Sequence, residues 1–187
     1  MQMLTRKQGL IVLAALAVLL FCTRFTYFGL SAYCANATMA AFFLGGIHLR
    51  RHLPMLVLLA VVVICDGIAF GLGHVPTALL TKASVFEPIA YVMLWYAGSA
   101  CAQRGLSRLA LTAGACVFAA LAFALTNGSF YFLSGFFQNT SLAGWGANYV
   151  QWAPWYVATT VAYVGAVLMA HEVWERLAAP RLARAAH

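Results

Sequence analysis

Charged side chains are what this sequence is shortest of. Asp, Glu, Lys and Arg make up 8% of its 187 residues, and only four of them are acidic. A soluble domain carries about a quarter charged residues, so this chain could not cover a water-facing surface. That excludes a soluble enzyme, a nucleic-acid binder and a disordered segment. Strand-like alternation is missing as well, and with it a closed β-barrel, the one alternative to helices for crossing hydrocarbon. There is no GxxxxGK[ST] phosphate loop, no Ser-His-Asp set and no pair of carboxylates on one helix face, so the chain is not expected to be an enzyme or to hydrolyse ATP itself. The five cysteines show neither CxxC nor Cys/His zinc spacing. Cys22, Cys65, Cys101 and Cys116 read as small apolar core residues, and Cys34 falls near one surface.

What is present is apolar length. The chain is 64% hydrophobic, with a mean hydropathy of +0.87. About 20 apolar residues cross about 30 Å of hydrocarbon. Dividing the sequence at its charged and Gly/Pro/Asn-rich breaks predicts six spans, at residues 8–24, 36–49, 54–73, 84–102, 109–125 and 152–172. The second is short, which implies tilt or extension into its loop. The expected fold is an all-α integral membrane protein, one domain of six transmembrane helices. Arg6, Lys7, Arg50, Arg51, Arg104, Arg108, Arg176, Arg181 and Arg184 then fall on one side and only Arg24 and Lys82 on the other. The positive-inside rule therefore predicts cytoplasmic N- and C-termini. It also accounts for the net charge of +7 without a nucleic-acid partner. The first span is expected to be retained, since no small-x-small cleavage site follows it. Residues 173–187 form a basic, partly amphipathic tail expected to lie along the inner membrane surface.

The unusual residues gather on the predicted outer side. Residues 126–156 hold Asn127, Gln138, Asn139, Asn148 and Gln151 among Phe130, Tyr131, Phe132, Phe136, Phe137, Trp145, Tyr149, Trp152, Trp155 and Tyr156. Two readings stay open, an interfacial aromatic belt and a long loop that covers a ligand. Asp66 falls in the third span and Glu87 at the outer start of the fourth. A carboxylate at the bilayer centre costs about 2.5–3.5 kcal/mol on insertion scales and must face protein or water. With no facing cation in a predicted span, Asp66 reads as a helix–helix hydrogen bond rather than a proton relay. His48 and His52 share a helix face, but beside Arg50 and Arg51 they read as interfacial, and no facing histidine pair suits haem. His74, in Gly73-His74-Val75-Pro76, sits at the outer mouth, as an ordinary loop histidine or a ligand.

Four segments carry a family resemblance: Thr23-Arg24-Phe25-Thr26-Tyr27-Phe28-Gly29, Ala40-Ala41-Phe42-Phe43-Leu44-Gly45-Gly46, Asn127-Gly128-Ser129-Phe130-Tyr131-Phe132-Leu133-Ser134-Gly135 and Pro154-Trp155-Tyr156-Val157-Ala158-Thr159-Thr160. In that order, and on six spans, they resemble the S components of energy-coupling-factor (ECF) vitamin transporters, in particular the solitary cobalamin-specific BtuM type of Gram-negative bacteria. The resemblance implies a multi-pass protein of the bacterial inner membrane that captures cobalamin or a corrinoid as a transported ligand. It implies no intrinsic cofactor, and action with an ECF scaffold and two ATPases or alone. Tyr27, Tyr91, Tyr131, Trp145, Trp152 and Trp155 would pack the ligand. Asn127, Ser129, Asn148 and Gln151 would hydrogen-bond its polar rim. The family places a cobalt-ligating cysteine where this chain has Ser84-Val85-Phe86-Glu87-Pro88-Ile89-Ala90-Tyr91, with none. His74 is the replacement expected as axial ligand, against Cys34 or no protein ligand at all. The same fold with another vitamin or precursor, and a structural or assembly subunit of a membrane complex, remain as alternatives.

Overall fold

The computed structural model describes residues 5–27, 35–73 and 75–185, with side chains placed except at 26, 27, 175 and 178–185. Six α-helices follow one another: α1 (Arg6–Tyr27), α2 (Thr38–His48), α3 (His52–Gly71), α4 (Phe86–Gln103), α5 (Arg108–Leu133) and α6 (Leu142–Ala185). Single 3-10 turns at Thr77–Leu79 and Lys82–Val85 lead into α4. No strand occurs among the described residues. Arg6–Phe25, His52–Gly71, Arg108–Leu133 and Leu142–Trp174 are long and apolar enough to cross a membrane. The chain is therefore an all-helical, membrane-embedded protein with four such helices.

The sequence predicted six spans, the second of them short, and the structure divides them differently. The second, drawn at 36–49, is an 11-residue helix only about 16 Å long at 1.5 Å per residue. It lies inside the bundle. Nine of its residues are buried, and it touches each of the other five helices. Phe42, Phe43, Leu44 and Ile47 from α2 are fully enclosed with Leu20, Leu58, Leu94, Trp95, Val164 and Leu168. Hydrophobic side chains alone cannot hold helices together in lipid, where the surroundings are equally apolar, so close packing of small residues must do it. α2 crosses α4 in that way. A Cβ on Gly46 would sit 2.0 Å from the Trp95 carbonyl oxygen, and one on Gly98 would sit 2.2 Å from that of Phe43. Leu10, Ile11, Val18, Val63, Ile64 and Val117 of the outer helices face away from the core and are exposed, as side chains against lipid would be.

The region expected to be a loop of about 25 residues is mostly helix. α5 continues eight residues past the predicted end at 125, and α6 begins ten residues before 152, leaving 134–141 as the connection. Polar residues did not end α5 because its own backbone satisfies them. The Thr126 hydroxyl donates to the carbonyls of Ala122 and Phe123, and the Ser129 hydroxyl to that of Thr126. The chain turns at Gly135, with φ +80°, a left-handed position that glycine tolerates. Pro154, two residues past the start predicted at 152, sits well inside α6. At the far end, α6 runs unbroken at the level of the backbone to Ala185, so the predicted tail is a continuation of that helix.

If backbone contact at the α2–α4 crossing sets the bundle, Gly98→Ala should destabilise the detergent-solubilised protein by at least the 1–3 kcal/mol typical of overpacking, about that range being expected. Gly67→Ala, where nothing lies within 4 Å of the added carbon, should unfold at the wild-type temperature. Equal melting temperatures for the two variants would refute the crossing.

Candidate functional site

Arg24 occupies the last turn of α1 and is 0% exposed. Its Nε and Nη2 donate to the two oxygens of Asp66 on α3, at 2.8 and 2.9 Å. Nη2 also reaches Glu87 Oε2 at 2.9 Å, and Nη1 donates to the Tyr91 hydroxyl at 2.8 Å. That hydroxyl donates in turn to Glu87 Oε2 at 3.2 Å. The planar guanidinium fork fits such a bidentate carboxylate. One cation thus joins α1, α3 and α4. The next residue back, Thr23, accepts from the Ala37 amide at 3.1 Å and donates to the Leu19 carbonyl, which ties the end of α1 to the start of α2. Among the described side chains, one arginine against two carboxylates leaves a formal charge of −1. The Asp66 and Glu87 side chains stay 26% and 22% exposed, so the surplus lies at the accessible side of the cluster.

These contacts correct three expectations. Arg24 is not an outer-loop cation, because α1 continues past it and buries it. Asp66 is not at the helix centre, since it stands five residues before the end of α3, and it does have a facing cation. Tyr91 offers no free ring for a ligand. It is 4% exposed, and its ring stacks on Phe42 with centroids 4.9 Å apart and planes 13° from parallel. Neither Arg24 nor Phe42 was singled out as a site residue. Charge balance could have found the arginine: two acids on the outer side needed a partner, and Arg24 was one of two cations there.

A second cluster forms where the end of α5 meets the start of α6. The Asn127 Nδ2 donates to Asn148 Oδ1 at 2.7 Å. The Trp145 ring lies over Gly128, its Nε1 3.4 Å from where a Cβ would be. A Cβ on Gly144 would sit closer still to a ring, 2.3 Å from the Tyr131 hydroxyl, and Ser129 is buried and bonded to its own helix. Tyr149 donates to the Ala120 carbonyl at 3.1 Å, and Tyr156 stacks on Phe123 at 4.6 Å. Four expected ligand residues, Asn127, Tyr131, Trp145 and Asn148, are therefore neighbours, while Ser129 is bonded within its own helix. Gln151, Trp152 and Trp155 are not part of this group, for they lie on the exposed side of α6, with the two tryptophans 49% and 65% exposed. Two buried atoms in the cluster, Asn127 Oδ1 and Trp145 Nε1, have no hydrogen-bond partner among the described residues. An unmet buried donor or acceptor costs about 1–3 kcal/mol, so both would gain from a polar group brought to them.

The Tyr27 side chain, His74 and Cys34 lie outside the described residues, so neither the cobalt ligand expected at His74 nor its alternative has a position here. No group of three or more His, Cys, Asp or Glu side chains converges among the described residues. Compared with protein-family models and with curated proteins, the chain matches none.

Removing one member of a buried ion pair costs about 3–5 kcal/mol because the partner charge is stranded. Arg24→Met should therefore lower the melting temperature strongly. Adding Asp66→Asn and Glu87→Gln to it should recover most of the loss. A triple variant no more stable than the single one would mean that the three groups do not act as one electrostatic unit.

Proposed function

We propose that this protein is the substrate-binding subunit of a membrane uptake system for a vitamin-sized ligand, with cobalamin or a corrinoid as the leading candidate. It acts in the bacterial inner membrane, with six membrane-embedded helices and both termini in the cytoplasm. It works with an ECF scaffold and its two ATPases, or alone. The observation that carries this reading is the pair of unmet polar atoms, Asn127 Oδ1 and Trp145 Nε1, set among aromatic rings at one end of the bundle. Small-molecule sites combine largely apolar walls with a few placed polar groups, and here a donor and an acceptor are both left for a ligand. Tyr131 and Trp145 supply the apolar contact and Asn127 and Asn148 the polar one. The mechanism is binding followed by alternating access, without covalent chemistry.

The topology follows from charge. With Arg24 neutralised inside the bundle, Lys82 is the remaining cation of the end that holds the site, which sharpens the positive-inside bias. A reporter fused after His187 should be cytoplasmic, and one inserted at Asn139 in the α5–α6 connection should be periplasmic. Both reporters on one side would rule out the arrangement.

Ligand capture is read by thermal unfolding. A ligand present at a hundred times its dissociation constant stabilises the folded state by about 2.7 kcal/mol. Cobalamin should raise the melting temperature of the solubilised protein. Asn127→Ala combined with Trp145→Phe should abolish most of that rise while the ligand-free protein melts within a few degrees of wild type. An undiminished rise in the double variant would place the site elsewhere, and no rise in the wild type would remove cobalamin.

A further inference from the structure

At the opposite, basic end of the bundle a cavity of about 230 Å³ opens between the α4–α5 turn and α6, bounded by Gly105, Leu106, Ser107, Arg108, Leu111 and His171. We propose that this cavity holds the phosphate of an anionic phospholipid headgroup. The inference rests on the chain being membrane-embedded and not on the transport reading.

The chemistry of the walls is that of an anion site. The Arg108 guanidinium and the His171 ring supply donors from two helices. The cavity lies at the first turn of α5, where the helix dipole is positive, with Ser107 capping the Ala110 amide at 3.2 Å. Arg50, Arg51 and Arg104 stand on neighbouring turns of the same end. Among the described side chains, one carboxylate sits against Arg108. Glu172 lies 3.0 Å from Arg108 Nη1 and also pairs with Arg176. A phosphate arriving at Arg108 would leave Glu172 paired with Arg176, one turn along α6.

The rim distinguishes a lipid from a soluble phosphate. Leu109, adjacent to Arg108, is 81% exposed, and Leu106, which lines the cavity, is itself exposed. Trp174 is 70% exposed on the same stretch of α6, at the place where an aromatic side chain marks the headgroup level. A cationic cavity edged by outward-facing apolar side chains matches an amphiphile, and basic pockets between membrane helices take phospholipid headgroups for this reason.

The full-length protein in nanodiscs tests this. Melting temperatures are compared in phosphatidylcholine and in phosphatidylcholine mixed with phosphatidylglycerol of the same acyl chains. The wild type should melt higher with phosphatidylglycerol, by about 2–4 °C. Arg108→Gln should abolish that difference, Glu172→Gln should widen it by removing the competing carboxylate, and Arg104→Gln, with the same change of charge outside the cavity, should preserve it. If Arg108 and Glu172 serve only as a salt bridge, both variants will melt lower in either lipid with the difference unaltered, and the proposal is overturned. A difference that falls equally in Arg104→Gln and Arg108→Gln would reduce the effect to general attraction by the basic end, again overturning the site. Inorganic phosphate in phosphatidylcholine nanodiscs is the last arm. If it reproduces the whole effect, the ligand is a soluble phosphate and the lipid assignment fails.

Discussion

Backbone touches backbone where α2 crosses α4, and the remaining helices are placed by that contact. Gly46 and Gly98 leave no room for a side chain between the two helices, which fixes their register to within a fraction of an ångström. The register sets Phe42 face to face with Tyr91. Held in that stack, Tyr91 presents its hydroxyl to Arg24, and Arg24 in turn binds Asp66 of α3 and Glu87 of α4. A steric condition at two glycines is thus passed on, through one ring and one guanidinium, to α1 and α3. The order of causes suits a protein in lipid, where apolar burial does not select among helix partners and close contact and polar pairing do.

Helix content and the apolar length of α1, α3, α5 and α6 were legible in the sequence, because hydropathy over about 20 residues reports span length directly. The role of α2 was not. A window average cannot tell a short central helix from a short span, since both are apolar on every face. Asp66 was recognisable as an inward-facing group, but its partner was not. Arg24 follows the apolar run of α1 closely enough to look like a boundary, and only the fold shows that the helix continues beneath a lid of opposite charges. Asn127, Tyr131, Trp145 and Asn148, drawn from a stretch read as a loop, are brought together by a different local structure. Those residues meet across two helix ends instead of along a loop, and helical period alone does not tell which of the set they exclude. Trp152 and Trp155 follow Asn148 by four and seven residues, yet they point outward, while Tyr149 and Tyr156 turn inward onto Phe123.

The two ends of the bundle handle charge in opposite ways. At one end two of the chain's four acids are spent on a single buried arginine. At the other end arginines are many and mostly exposed, and Glu172 is shared between Arg108 and Arg176. Buried pairing makes the first end specific in geometry. Exposure makes the second end responsive to whatever anions surround it.

α6 joins those ends without interruption. At 44 residues it is about 66 Å long, roughly twice the thickness of the hydrocarbon layer. Mechanically it is a rod whose first turns carry Trp145 and Asn148 and whose later turns carry His171, Glu172 and Arg176. A rod of that length converts small angles into large displacements: a tilt of about 10° about one end sweeps the other through about 11 Å. Whatever tilts α6 modestly at Trp145 therefore moves its last turns by about the width of a helix.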